Sequence, residues 1–143
     1  MNKNKGFTLI ELLVVIAIIG ILSSIVVSSV NQARDKGNDA AIKANLSGIR
    51  SQAAMYFDNN GQSYGAVSDN SCSVAGSVFA DTNITSQINA AKTASGAAAV
   101  ATCYNTSTAW AVSVPLRATG VSWCVDSTGK AASSTAGSAS VCL

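Results

Sequence analysis

The chain has no histidine, a single proline, and charged residues at only 11% of its 143 positions. Each shortage narrows what it can be. Without histidine, the commonest general base and metal ligand is missing. Nine basic and seven acidic residues leave a formal charge of +2, which provides no electrostatic surface for nucleic acid. The Asp residues are scattered and form no calcium-ligand cluster. No two of the four cysteines have the close spacing that opens a zinc site. The nearest thing to a catalytic pair is Asp126 beside Ser127, and with no second base in sight its role reads as turn chemistry. No cofactor, no metal and no enzymatic activity are therefore expected. The lone proline, Pro115, leaves everything before it free to be helical.

Charge is absent altogether from Leu12 to Ala33. That stretch, with Gly6-Phe7-Thr8-Leu9-Ile10-Glu11 ahead of it, organises the rest. As a helix rising ~1.5 Å per residue, it covers roughly the ~30 Å of a bilayer's hydrocarbon core. A short basic leader, Met1 to Lys5 with Lys3 and Lys5, precedes it, as the positive-inside tendency requires of a cytoplasmic end. A secretory signal peptide has the same outline, but this apolar run is longer than the usual ~7–15 residues and lacks an A-x-A exit. Small residues at Ser23-Ser24 and Ser28-Ser29 are the alternative cleavage positions. A plain one-span anchor accounts for the length and the lysines, but leaves Glu11 without a purpose. A carboxylate at such a place costs on the order of 2–3 kcal/mol or more, and calls for a partner.

The run Lys5-Gly6-Phe7-Thr8-Leu9-Ile10-Glu11-Leu12-Leu13-Val14-Val15-Ile16-Ala17-Ile18-Ile19-Gly20-Ile21-Leu22 resembles the N-terminus of the type IV pilin family, which includes the pseudopilins of type II secretion and competence. The resemblance implies cleavage by a prepilin peptidase between Gly6 and Phe7, N-methylation of Phe7, and a role for Glu11 in filament assembly. It implies an inner-membrane precursor handled by the pilus assembly machinery, then a helical homo-oligomer at the cell surface, or in the periplasm for a pseudopilin. The physics agrees with the motif. Gly6 lets an extended backbone enter a narrow site. Cleavage leaves a positive amine on Phe7, and a carboxylate one turn along a helix is favoured by its dipole. In hydrocarbon, an unpaired charge is penalised and a paired one tolerated, so Glu11 acts as a register key between neighbouring copies. The chain departs from many family members in having Ser28 where they carry a proline; Gly20 is then the weakest helical position.

The resemblance and the pattern together divide the chain into a leader (1–6), a transmembrane and filament-core helix (7–33), an amphipathic continuation (34–59) and a globular head (60–143). In the continuation, Ile42, Leu46, Ile49, Ala53 and Tyr56 recur at helical spacing and face the head, and Asp58-Asn59-Asn60-Gly61 ends the pattern. Within the head, Gly61–Ser77 reads as loop and Asp81–Ala94 as a short helix. Strands are expected at Ala98–Tyr104, Ala109–Leu116 and Val121–Val125, and Ser127–Ser140 reads as a flexible loop. The expected fold is α+β, a long helix packed on a small antiparallel sheet. Tripeptides at Asn45, Asn83 and Asn105 match the glycosylation acceptor at a level close to chance.

Cys72, Cys103, Cys124 and Cys142 all follow the membrane segment, which points to an exported domain with two disulfides. Cys103 and Cys124 fall on strands separated by the Trp110 strand, roughly 10 Å apart at ~4.8 Å per strand. That argues against their pairing, and so against Cys72–Cys142. Of the two remaining arrangements, Cys72–Cys103 with Cys124–Cys142 closes two separate loops, the second in the manner of many pilins. Cys72–Cys124 with Cys103–Cys142 ranks second. The function expected is a structural subunit of a type IV pilus, with the secretion or competence pseudopilin as the alternative.

Overall fold

A computed structural model describes residues 6–68, 70–96, 98–137 and 140–143. Lys3 and Lys5, expected to belong to a leader, lie outside the described residues. The chain divides into two units, Met1–Arg34 and Asp35–Leu143, which are described separately.

In the first unit, helix α1 (Leu9–Asn59, continuing into the second) starts directly after Thr8. Every large apolar side chain from Phe7 to Val30 is exposed. A helix satisfies its own backbone hydrogen bonds, so it can carry such a surface into hydrocarbon. By length and composition α1 is able to cross a membrane.

In the second unit, the same helix turns one stripe inward: Ile42, Leu46, Ile49 and Ala53 are fully buried, and Tyr56 is half-buried. The helix closes with a Schellman-type cap. Gly61 takes φ 66°, and the Gln62 N–H donates to the Phe57 carbonyl at 2.9 Å. The chain then crosses an irregular loop and a 3₁₀ turn (Val78–Ala80) into α2 (Thr82–Ser95). Asp81 caps α2, its Oδ1 accepting from the N–H groups of Asn83 at 2.9 Å and Ile84 at 3.3 Å. Four strands follow, β1 (Thr102–Asn105), β2 (Trp110–Pro115), β3 (Ser122–Asp126) and β4 (Ala131–Ser133). They form an antiparallel meander in sequence order. The fold class is α+β, a long N-terminal helix with a small four-stranded antiparallel sheet and two disulfides.

Two expectations need correction. The first strand begins at Thr102, not Ala98, because pairing starts only where Thr102 faces Ser113; the Ala99 N–H instead turns back to the Gly96 carbonyl at 3.0 Å. The segment expected to be a flexible loop contains β4, which pairs Ala131, Ala132 and Ser133 with Val125, Cys124 and Trp123. Ala and Ser have little strand propensity, and this edge is made by backbone bonds and a turn.

One core joins the helix stripe to α2 (Ile84, Ile88, Ala91), to Val78 and Phe79, and to Cys103, Trp110, Val112, Val114 and Val125 on the sheet. Trp110 is 2% exposed and meets Phe79 and Tyr64 edge-on, each with ring centroids 6.5 Å away. Trp123 is half-buried under Lys43, whose Nζ lies 4.4 Å from the ring. The close approach of two loop segments explains one glycine: a Cβ on Gly65 (φ +83°) would sit 1.9 Å from the Gly76 carbonyl oxygen.

The β2–β3 turn is fastened to α1 by Asp39, whose Oδ1 accepts from the backbone N–H of Arg117 at 2.6 Å and of Ala118 at 3.3 Å. Arg117 Nε also pairs with Asp35 at 2.9 Å, between side chains 46% and 39% exposed. An exposed pair of that kind contributes little and is screened by salt. Asp39→Ala is expected to cost about 1 kcal/mol and lower the melting temperature by about 4 °C or more, at any salt. Asp35→Ala should cost less, with an effect that fades at high salt. Thermal unfolding of both variants at two ionic strengths checks the order.

Candidate functional site

The residues singled out in the sequence fall into two sets, one in each unit. In the first unit, Gly6 and Phe7 precede the helix. Gly6 is exposed, with nothing within 4 Å of where a Cβ would stand, and Phe7 is 78% exposed. Glu11 sits in the first turn of α1. Its Oε2 accepts from the Thr8 N–H at 2.9 Å and from the Thr8 hydroxyl at 2.7 Å, and the Glu11 N–H reaches back to Thr8 Oγ1 at 3.3 Å. This is a capping box: Thr8 stands at the N-cap, Glu11 three positions on, and each satisfies the other's backbone donor. Thr8 is thus part of the site, and the sequence reading overlooked it. The signal was present in Thr8-Leu9-Ile10-Glu11, a Thr-x-x-Glu ahead of an apolar run. Both hydrogen bonds fall on one carboxylate oxygen, so the helix start occupies only part of the acceptor capacity of Glu11.

The second set is covalent. Cys72 is bonded to Cys103, with Cα atoms 5.1 Å apart, and Cys124 to Cys142, at 5.7 Å. Cys103 and Cys124 lie on strands separated by β2. The first bridge ties the loop after α1 to β1, in which Cys103 is fully buried. The second ties the C-terminal residues to β3. Asp126 is also fully buried and works as turn chemistry. Its Oδ1 accepts from the Thr128 N–H at 2.9 Å, the Thr128 hydroxyl at 2.7 Å and the Lys130 N–H at 3.1 Å. Asn105, one of the glycosylation tripeptides, is 1% exposed and structural; its Nδ2 donates to the carbonyls of Tyr64 at 3.1 Å and Ala66 at 3.0 Å.

Among the described residues, no group of three or more Cys, Asp or Glu side chains could hold a metal ion. The clefts beside α2 are lined by Ser, Asn, Thr and small apolar residues with Lys92 or Arg117, without a carboxylate or a free thiol. What the molecule offers instead is a capped apolar helix with an exposed Gly6-Phe7 before it, and a head secured by disulfides.

The family model described as the prokaryotic N-terminal methylation motif matches residues 1–27. Among curated proteins, the chain is 44% identical over 61 residues to the type IV wide pilus major component PilA4 of Thermus thermophilus, covering 42% of this chain and 47% of that protein. It is 36% identical over 55 residues to the type IV major pilin protein PilA of Myxococcus xanthus, covering 38% and 25%. It is 34% identical over 61 residues to the type II secretion system core protein G of Klebsiella pneumoniae, covering 42% and 44%. The match spans less than half the length of each of these relatives. No solved structure matches the chain.

Proposed function

We propose that this chain, which carries the N-terminal methylation motif and is similar to type IV pilins, is a structural subunit of a type IV pilus. In this reading residues 1–6 are a leader removed by a prepilin peptidase, and Phe7 becomes the methylated N-terminus. Residues 7–33 hold the precursor in the cytoplasmic membrane and then form the filament core. Residues 34–59 carry the head, 60–143, to the filament surface. The chain does no catalysis; its chemistry is assembly. The observation that carries the reading is the first unit itself: a helix with every large apolar side chain from Phe7 to Val30 exposed and one carboxylate, Glu11, in its first turn. Such a surface needs lipid or copies of itself, and such a carboxylate needs a cation. The amine freed on Phe7 of a neighbouring copy supplies one. Likeness to core protein G supports a second reading, a secretion pseudopilus of the same build.

The test is electron microscopy of filaments sheared from cells, with mass spectrometry of their subunit. The expected result is long surface filaments whose subunit begins at Phe7. A subunit beginning at Met1, or near Ser24, overturns the processing; absence of surface filaments, with the chain retained in the envelope, favours the pseudopilus. Gly6→Val should make the uncleaved precursor accumulate, because a branched side chain crowds the extended backbone at the scissile bond. N-terminal sequencing of the membrane fraction checks it.

A further inference from the structure

Trp110, Val112 and Val114 of β2 point into the core shared with α1. By strand alternation Ala111 and Ser113 point the other way, toward what should be solvent. They are nevertheless 0% and 1% exposed, and Cys124 and Asp126 on β3 are fully buried. The C-terminal residues cover them. Ala136 and Cys142 pack with Ala111 and Cys124, with Tyr104 at the margin. The Ala136 N–H donates to Ser113 Oγ at 3.1 Å. Small side chains on this face let backbone approach closely.

Asp126, the last residue of β3, stands opposite Ala111 beside this second layer. Three donors on its Oδ1 come from the β3–β4 turn. The fourth is different: its Oδ2 accepts the backbone N–H of Cys142 at 2.9 Å, sixteen residues away. Asp126, two residues beyond Cys124 in β3, thus holds Cys142 by a charge-assisted bond, beside the covalent bond from Cys124. We propose that Asp126 is an acid-released latch: protonation of its carboxyl frees the Cys142 amide and loosens residues 140–143 from the outer face of the sheet, while the Cys124–Cys142 disulfide keeps them tethered for reclosing.

The reason is acceptor capacity. A carboxylate accepts four such bonds; a carboxylic acid turns one oxygen into a donor, and a buried N–H left without an acceptor is costly. Burial pushes the Asp126 carboxyl up, but the bonds from the Cys142 N–H, the Thr128 hydroxyl and the Lys130 and Thr128 N–H groups more than offset it, holding the carboxyl below the ordinary range. A group depressed in the folded state stabilises above its unfolded value, about 4 for Asp, and that contribution is lost as pH falls through the lower folded value. The latch therefore opens in acid and is closed at neutral pH. The charged and titratable groups around it are Lys130, Arg50 and Tyr104. Lys130 Nζ donates to the Cys142 carbonyl at 2.8 Å. Arg50 Nη2 holds the turn from α1, donating to the carbonyls of Gly129 at 2.7 Å and Lys130 at 2.6 Å.

The test is amide hydrogen exchange of the full chain in detergent micelles, read by NMR from pH 7 into acid and corrected for intrinsic rates. Protection of the Cys142 amide should fall about tenfold or more through one acid midpoint, while Val112 and Val114 stay protected. Asp126→Asn should show the low Cys142 protection already at pH 7, without further acid dependence. Unchanged Cys142 protection in that variant overturns the proposal, and so does an acid midpoint that persists in it, which would assign the titration to another group. Should Asp126→Asn not fold, Thr128→Val decides: losing the hydroxyl bond should move the midpoint to higher pH, and an unmoved midpoint overturns the latch.

Discussion

Glu11→Ala should reduce surface filaments by about tenfold or more while the protein remains inserted in the membrane and its head remains folded. The head does not depend on this carboxylate: among the described residues, the hydrogen bonds of the Glu11 side chain go to Thr8 alone. Between copies the accounting is different. In the proposed filament, a subunit docked at the right height would set Glu11 against the Phe7 amine of its neighbour; docked elsewhere, it would leave a charge unpaired in an apolar layer, at a cost of several kcal/mol. Removing the carboxylate removes the discrimination and orphans the amine. The same substitution also removes the capping box, so a control is needed. Thr8→Val deletes the hydroxyl that serves as N-cap and bonds Oε2, at about 1 kcal/mol of local helix stability, but keeps the charge. It should assemble far better than Glu11→Ala. Quantifying sheared subunit by immunoblot, with membrane fractionation alongside, separates the two. Equal losses in both variants would mean that the helix start, and not the charge, is what assembly uses. Wild-type filament yield from Glu11→Ala would remove Glu11 from the assembly site altogether.

Replacing Cys72 and Cys103 together by Ala should lower head stability by about 3–4 kcal/mol and its melting temperature by about 15 °C or more. The bridge closes a sequence separation of 31 residues, against 18 for Cys124–Cys142, and loop-closure entropy makes the longer loop the more stabilising by a few tenths of a kcal/mol. Packing widens the difference. Cys103 stands opposite Val112 and is fully buried in the main core, so its loss leaves a void among packed side chains. Cys124→Ala with Cys142→Ala should cost less overall and act mainly on the outer layer over Ala111 and Ser113. Thermal unfolding of the full chain under oxidising conditions, repeated with reductant, measures both. A first-pair variant as stable as the wild type would show the bridge to be dispensable. Non-reducing peptide maps that link Cys72 to Cys124, or find free thiols on the exported protein, would replace this connectivity with another.

The long helix was legible because its two halves are written in unmistakable patterns: no charge from Leu12 to Ala33, then Ile42, Leu46, Ile49 and Ala53 at steps of three and four. The short helix was legible for the same reason, with Ile84, Ile88 and Ala91 buried in α2. Strands β2 and β3 carry alternating Trp and Val and could be placed to within a residue or two. The last part of the head could not. Ala, Ser, Thr and Gly carry no periodicity of hydrophobicity, and β4 and the layer over the sheet are made by backbone bonds, a buried carboxylate and a disulfide. Asp126-Ser127-Thr128-Gly129 before Lys130 was a usable turn signal, read as turn but not as the hinge of a hairpin. Thr8 was less legible for another reason: a hydroxyl beside an apolar run carries no signal as strong as the lone charge of Glu11, whose bonds it shares.

The two tryptophans also make the head optically legible. Trp110 is enclosed by Phe79, Tyr64 and the helix stripe, so its emission should be blue-shifted and shielded from aqueous quenchers. Trp123, half-buried beneath the Lys43 ammonium, should emit further to the red and respond to iodide. Residues 1–60 contain no tryptophan, so this fluorescence belongs wholly to the head. A subunit can therefore be followed from micelle to filament by a signal blind to its apolar helix.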